Sequence, residues 1–255
     1  AHTTQNEIFD NFYYKGAAWV NYGGHRLWVA PEAMPDTYYP DCNTVKCDVL
    51  SNGAKLTPPP QNENGVQTAM QIEMTDDGKV SVTHFVTNIS DSDKVMSPWA
   101  LTVLDHNGVE IIPNNTEDTG LLPNRRIIAW PYTNLADERL YMGKDFITLR
   151  QDPSVEPAFK LGLDNHSGTA MYILGDTLFI NRYNHNKSAE YEDFGASFET
   201  YCNYDILEME TLGEKKCVAP GGTSTHTEHW ELHRAPEAFD VRNDEAIMNA
   251  VGKYL

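Results

Sequence analysis

An alternation of apolar and polar residues, broken at short intervals by turn residues, constrains the fold of this chain more than any other feature. Residues 80–88 alternate in this way, and residues 67–74 are predicted to pair with them through a turn at 76–79. Many short strands punctuated by Gly, Pro and Asn are typical of an all-β sandwich or barrel. Further strands are predicted at 17–22, 26–30, 99–104, 145–150, 170–174, 177–183, 197–201, 205–211 and 225–232.

The C-terminal end of the chain departs from this pattern. Asn243 or Asp244 can cap a helix over residues 245–251, so a short C-terminal helix is predicted. The proline-rich loop 57–64 is too short to separate domains, and the sequence shows no internal repeat. We therefore predict a single domain spanning residues 1–255.

The formal net charge of −18 limits the partners that this chain can bind. Such a charge repels the phosphates of nucleic acids and the head groups of anionic lipids, so we expect neither nucleic acid nor a membrane as a partner. No stretch approaches the roughly 20 apolar residues of a membrane span. A neutral ligand is unaffected by this charge, whereas an anionic ligand needs a local cluster of arginines.

The four cysteines, at positions 42, 47, 202 and 217, leave two interpretations open. They can form two disulfides, or they can be four reduced, buried thiols. None has the C-x-x-C spacing of a zinc or redox site. Because the sequence begins with Ala rather than Met, we expect a processed protein that is secreted or periplasmic, with a cytoplasmic protein as the alternative.

A glycine pair marks the first candidate ligand site. Gly23 and Gly24 let the backbone come close to a ligand, and the strand after them presents His25 and Arg26 on opposite faces. A β-bulge with a surface arginine is the structural alternative.

The second candidate site lies in residues 121–139. Arg125, Trp130, Tyr132 and Arg139 suit a sugar, because aromatic faces stack on the C–H surface of a pyranose. Guanidinium groups bind hydroxyls or a carboxylate with two donors at once. The alternative is an Arg–Asp salt bridge that holds a long loop in place.

Three glutamates are candidates for acid–base chemistry. On a strand over residues 198–203, Glu199 and Tyr201 share one face, and Glu199 can serve as a general base; a solvated glutamate on an outer strand is the alternative. Glu208 and Glu210 also share a face, but side chains two residues apart point in parallel, about 6–7 Å from each other. This arrangement does not place them on opposite sides of a glycosidic bond.

The histidine-rich segment 226–233 does not predict a metal site. On a strand, His226 and Glu228 face one way, and His229 and His233 face the other way, about 13 Å apart. The sequence also lacks the motifs of serine nucleophiles, phosphate-binding loops and dinucleotide-binding folds. We therefore predict neither a metal nor another cofactor.

Taken in order, short motifs along nearly the whole chain resemble those of a family of bacterial proteins of the galactose mutarotase-like superfold. A more distant resemblance is to the aldose 1-epimerases, whose Gly-Asn-Arg strand is similar to residues 24–26 and whose last strands are similar to residues 218–232. The motifs that carry the resemblance are residues 23–28, 30–32, 122–125, 130–132, 159–162, 199–201, 208–213 and 220–221, with Asp137, Arg139, His226, Glu228 and Trp230.

This resemblance implies an antiparallel supersandwich with a sugar cleft on its concave face. In aldose 1-epimerases a Glu late in the chain is the base and a His is the acid for ring opening, and Glu199 lies about where that Glu is expected. Trp99 stands in the segment that carries the family's His, so His84 and His25 are the candidate acids in this chain.

We therefore predict a protein that binds a mono- or oligosaccharide in a cleft of an all-β sandwich. Trp99, Trp130, Tyr132, Tyr201 and the arginines are the predicted binding residues, and the arginines favour an anionic, uronate-like sugar. Acid–base catalysis of the epimerase or lyase kind is the predicted activity. A carbohydrate-binding module without catalysis is the alternative.

Overall fold

The computed structural model describes residues 13–14 and 17–255. Within these residues the regular secondary structure is mostly antiparallel strand, with one α-helix at the C-terminal end. The elements are β1 (Tyr13–Tyr14), β2 (Ala17–Ala18), β3 (His25–Ala30), β4 (Lys46–Val49), β5 (Gly53–Thr57), β6 (Val66–Met74), β7 (Val80–Asn88), β8 (Lys94–Leu104), β9 (Val109–Pro113), β10 (Ile127–Ala129), β11 (Leu140–Met142), β12 (Phe146–Arg150), β13 (Phe159–Leu163), β14 (Thr169–Leu174), β15 (Thr177–Tyr183), β16 (Phe198–Cys202), β17 (Leu207–Leu212), β18 (Lys216–Val218), β19 (Thr223–Arg234) and α1 (Asp244–Val251).

Most of the strands form two sheets that pack face to face. The larger sheet has ten strands in the order β11-β12-β9-β14-β15-β19-β7-β6-β5-β4. The smaller sheet has seven strands, β10-β13-β16-β17-β8-β18 with β3 also paired to β8, and β1 and β2 form a separate ribbon. This architecture confirms the predicted all-β, antiparallel sandwich.

The core lies between the two sheets and fixes which side chains face outward. Leu161, Phe198 and Met209 of the smaller sheet pack in one buried cluster with Ile112 and Leu149 of the larger sheet. Because side chains alternate along a strand, the residues next to these in sequence point to the opposite face of the smaller sheet. That face, away from the larger sheet, carries the candidate site.

The C-terminal helix covers part of the outer face of the larger sheet. Asn243 caps α1 as predicted, because its side chain accepts a hydrogen bond from the backbone N–H of Ala246. Ile247 and Val251 are fully buried in a cluster with sheet residues such as Ile111. Among the described residues, no helix is both long and apolar enough to cross a membrane.

Two sequence-based expectations differ from the structure. The predicted strand at 17–22 is limited to Ala17–Ala18, and Asn21 instead donates a hydrogen bond to Glu208 of the smaller sheet. Several short strands were missed, among them β13, which is buried along its whole length and has no exposed face to create a polar alternation.

All four cysteines are free, and only Cys202 is buried.

Candidate functional site

The register of the smaller sheet brings two acidic side chains together. Glu199 of β16 lies directly opposite Glu210 of β17, so the two share the outer face of the sheet. Lys160 of β13 lies opposite Tyr201 on the next row of the same face. Like charges directly opposite each other destabilise a strand pair, so two glutamates in this position need a neutralising partner.

Lys160 is that partner. Its Nζ lies 2.8 Å from Oε2 of Glu199 and 3.0 Å from Oε2 of Glu210. Both glutamates are completely buried and the lysine is nearly so. A second donor, the indole Nε1 of Trp99, reaches Oε2 of Glu210 at 2.8 Å. The three side chains therefore form one buried polar group, and the indole of Trp99 donates to one side of it.

Burial and the ionic contacts shift the pKa values of this group. Burial raises the pKa of Glu199 well above its usual range, Lys160 opposes this shift, and Glu210 adds to it. Burial also raises the pKa of Glu210, against the effect of Lys160. Burial alone would lower the pKa of Lys160, but the two carboxylates raise it well above its usual value. Glu210 accepts hydrogen bonds from both Trp99 and Lys160, and these stabilise its ionised form. The raised pKa values mean that the pair keeps a proton, and we assign that proton to Glu199.

Aromatic rings surround the lysine. Its Nζ lies 4.8 Å from the ring centroid of Trp99 and 4.9 Å from that of Trp130, within the range of cation–π attraction. Trp130 can lie against the sheet because Gly162 is beneath it, and a Cβ there would come within 3.2 Å of the indole. Trp99 also contacts Trp28, with ring centroids 5.2 Å apart.

A cavity of about 240 Å³ opens above this group. Glu199 forms part of its lining, and Oε1 of this residue has no hydrogen-bond partner among the described residues. The cavity is thus lined by both acidic and aromatic side chains, with the buried carboxyl of Glu199 in its wall. Its lining residues are Glu32, Ala33, Met34, Trp99, Trp130, Lys160, Asp193 and Glu199.

Glu208 extends the acidic face by one more carboxyl. It is half-buried, and its Oε1 accepts a hydrogen bond of 3.1 Å from Asn21. Burial, and then the nearby Glu210, raise the pKa of Glu208 to about 7. Its protonation state therefore changes near neutral pH.

We expect this glutamate to make the fold less stable as the pH rises. Between about pH 4.3, where a glutamate titrates in an unfolded chain, and about pH 7, the folded chain binds the extra proton. Glu208→Gln should remove that decrease in the free energy of unfolding, which amounts to about 3–4 kcal/mol for a shift from about 4.3 to about 7. Urea unfolding across this pH range measures the effect, with Glu245→Gln on the exposed helix as the control. Equal pH dependence in wild type and Glu208→Gln would contradict it.

The structure brings six of the predicted site residues to this face, five of them in or beside the cavity. Glu199, Trp99 and Trp130 line the cavity. Tyr201 lies on the same face as Lys160, and burial raises its pKa to about 12. Tyr132 is half exposed beside the cavity. Burial raises the pKa of its hydroxyl, and the charge of the nearby Lys160 opposes this shift.

The three predicted arginines do not reach the cavity. Arg26 lies on the same face, but its guanidinium bonds Asp41 at 2.7 Å and lies 4.7 Å from the ring centroid of Trp19. Arg125 donates to backbone carbonyls in a remote loop, including that of Asn115. The cation of the cavity is therefore a lysine.

Arg139 is buried away from the cavity in a local ion pair. Its Nη2 lies 2.8 Å from Oδ2 of Asp137 and donates to the carbonyl of Pro157 at 2.7 Å. This is the arrangement that the sequence allowed as the alternative to sugar binding.

The two predicted histidine acids lie on the other side of the sheet. His25 pairs with Thr102 in the ladder of β3 and β8, one position from Arg26, so it faces the larger sheet. His84 of β7 is fully buried and contacts His25 between the sheets. The structure therefore does not bring either histidine together with Glu199.

Lys160 is the site residue that sequence reasoning missed. It lies in the apolar segment 159–163, where a single lysine between core residues was the available signal. Its importance depends on the pairing of β13 with β16, which no local pattern specifies. Asp193 and Glu32 were missed for the same reason, because loops bring them to the cavity.

Comparison with solved structures places this arrangement on a known fold. A galactose mutarotase-like protein from Lactobacillus casei matches with a TM-score of 0.50 and 13% sequence identity, over 78% of this chain and 75% of that one. A TPR-domain containing protein from Parabacteroides distasonis matches with a TM-score of 0.53 and 10% identity, over 89% of this chain and 42% of that one. Neither a protein-family model nor a curated protein matches the sequence.

The chain therefore has the galactose mutarotase-like fold, as the sequence resemblance predicted. At this level of identity the likeness defines the fold, and the function has to be argued from the cavity.

Proposed function

We propose that the cavity over Lys160 and Glu199 binds a sugar. The observation that carries this proposal is the buried carboxyl of Glu199, with an unpartnered oxygen, beside Trp130 and Trp99. A sugar offers hydroxyl donors to such an oxygen and a C–H face to an indole ring. The volume of about 240 Å³ is just below the roughly 300–1,000 Å³ of drug-sized ligand sites, which suits a single sugar ring.

The charges favour a neutral sugar over an anionic one. The three arginines that suggested a uronate are engaged elsewhere, and Lys160 is already paired with two glutamates. Glu32 and Asp193 add negative charge to the lining. A sugar carboxylate would meet uncompensated repulsion here, whereas hydroxyl groups would find acceptors.

We propose further that the site opens and closes the sugar ring by acid–base catalysis. Glu199, which holds its proton, donates it to the ring oxygen as the bond from that oxygen to the anomeric carbon breaks. The anomeric hydroxyl becomes a carbonyl and gives its proton to a second carboxylate, for which Asp193 is the candidate in the lining. Ring closure on either face of the carbonyl returns both protons. Glu199 thus acts first as an acid, where the sequence suggested a base.

Trp130→Ala tests the binding proposal. Sugars are first screened by thermal shift, since a ligand at 100 times its Kd adds about 2.7 kcal/mol of stability. For a sugar that binds, loss of the indole face should raise Kd about tenfold or more, measured by calorimetry. Tyr141→Ala removes a half-buried aromatic ring on the larger sheet and should leave Kd unchanged. Unchanged affinity in Trp130→Ala would contradict this site.

A sugar-binding module without catalysis is the second candidate. It is favoured by the placement of His25 and His84, which leaves the cavity without the histidine acid of aldose 1-epimerases. The two candidates make the same prediction for Trp130→Ala and differ only in turnover.

A further inference from the structure

A second polar cluster lies between the two sheets, on the opposite side of the smaller sheet from the sugar cavity. It joins His25 of β3, His84 of β7 and Glu228 of β19. The Nε2 atoms of the two histidines are 2.7 Å apart, and Nε2 of His25 lies 3.8 Å from Oε2 of Glu228. Each residue offers one atom that can ligate a metal, and these three atoms all lie within 4.8 Å of one another.

Hydrogen bonds orient both imidazole rings toward one point. Nδ1 of His84 donates to the backbone carbonyl of His226 at 3.0 Å, so its Nε2 is unprotonated and accepts the hydrogen bond from Nε2 of His25. Nδ1 of His25 lies 2.9 Å from Oγ1 of Thr102, a partner that can donate or accept. A ligating histidine is usually fixed in this way through its second nitrogen.

The carboxylate of Glu228 lacks a compensating cation. It is fully buried, and among the described residues no lysine or arginine forms an ion pair with it. Within the described part of the chain, its oxygens accept hydrogen bonds only from the neutral donors Thr211 and Trp230. Buried charges in proteins are normally paired or bound to a metal.

We propose that His25, His84 and Glu228 form a binding site for a divalent transition-metal ion such as Zn²⁺. Two histidines and one carboxylate are a known ligand set for such ions, with a further position open. On metal binding the proton of His25 moves from Nε2 to Nδ1, and Nδ1 then donates a hydrogen bond to Oγ1 of Thr102. Both Nε2 lone pairs thus become available to the metal, and no proton is released. In a tetrahedral site with Zn–N distances of about 2.0–2.1 Å the two nitrogens lie about 3.3 Å apart, so the pair must open by about 0.6 Å.

An ion can reach the cluster from solvent. The side chain of His25 is 11% exposed, while Glu228 is fully buried behind it. His25 and Trp230 form part of the wall of an open cavity of about 530 Å³ between the sheets. Apart from His25, Thr102 and a few polar residues, its lining is mostly apolar, including Leu104, Tyr172 and Phe179. The cavity is separate from the sugar cavity, so this proposal does not depend on sugar binding.

Calorimetric titration of the chelator-treated full-length chain with Zn²⁺ tests the proposal. We expect one ion per chain, with at least about a 100-fold loss of affinity in His84→Ala and in Glu228→Gln. His229→Ala, on the exposed side of the same strand as Glu228, should bind like wild type. Two further controls remove competing sites: His166→Ala, in a half-buried cluster with Asp164 and His185, and a Cys42→Ser, Cys47→Ser, Cys217→Ser variant.

X-ray absorption of the wild-type Zn²⁺ complex keeps the test decisive if a ligand variant fails to fold. Imidazole and carboxylate ligands without sulfur, together with full binding in His166→Ala, would support the site. Absence of Zn²⁺ binding, sulfur ligands, binding lost in His166→Ala, or binding unchanged in the folded His84→Ala and Glu228→Gln variants would overturn it.

Discussion

Lys160→Met is expected to destabilise the fold by about 3–5 kcal/mol at neutral pH, because removing one partner of a buried ion pair leaves uncompensated charge. Lys160 is the only cation within 4.0 Å of Glu199 and Glu210 among the described residues. Without it, two buried carboxyls face each other across a strand pair. They can avoid repulsion only by taking up protons, so their pKa values rise further. Urea unfolding of the variant against wild type measures the loss.

The pH dependence of this variant separates a charge effect from a packing effect. Because the folded variant binds more protons than the unfolded chain, its stability should recover as the pH falls from about 7 toward about 5. The double variant Lys160→Met, Glu210→Gln should recover part of the loss at neutral pH, because Glu210 is the carboxylate that the single variant leaves without a cation. Lys215→Met, which breaks a partly exposed contact of 3.1 Å with Glu192, should cost less than about 1 kcal/mol. An equal or smaller loss of stability in Lys160→Met than in Lys215→Met would contradict a buried ion pair at Lys160.

Glu199→Gln is expected to lower turnover about 10²–10⁴-fold, the usual contribution of a general acid or base, and to change sugar affinity by less than about tenfold. The amide fits the same space and can still bind a hydroxyl, but it cannot transfer a proton. The measurement is the rate of exchange between the two anomers of a bound sugar, followed by polarimetry or by NMR exchange. Glu110→Gln alters an equally buried carboxyl of the larger sheet and should leave the rate unchanged.

The result also decides between the two proposed functions. Wild-type protein that binds a sugar without accelerating anomer exchange supports the binding module. Equal exchange rates in wild type and Glu199→Gln, with exchange well above the uncatalysed rate, would exclude Glu199 as the proton donor.

The outer face of the smaller sheet was partly predictable from the sequence. Alternation in 197–201 places Glu199 and Tyr201 on one face, and the strand geometry shows this directly. The aromatic segment around Trp130 was also identified. What local pattern could not supply was the pairing of β13 with β16, which brings Lys160 to Glu199 from a distant part of the chain. Long-range pairing decides the charge partners in this protein, and periodicity carries no information about it.

The same limit explains the arginines and the histidines. The chemistry of Arg139 predicts a sugar ligand, but Asp137 is only two residues away, and Arg139 forms the local ion pair with it instead. Within the histidine-rich segment, strand geometry places the candidate ligands on opposite faces, so the segment by itself does not predict a metal site. Only the stacking of two sheets brings His25 and His84 to Glu228.

The most direct test of the central proposal is the ¹H–¹⁵N NMR spectrum of the tryptophan indoles during a sugar titration. The chain has five tryptophans, of which Trp99 and Trp130 line the proposed sugar cavity and Trp230 lines the separate cavity between the sheets. We predict saturable shifts of the Trp99 and Trp130 signals, with the Trp230 signal unchanged. Shifts confined to Trp230, or no saturable shift with any sugar of the screen, would contradict a sugar site over Lys160 and Glu199.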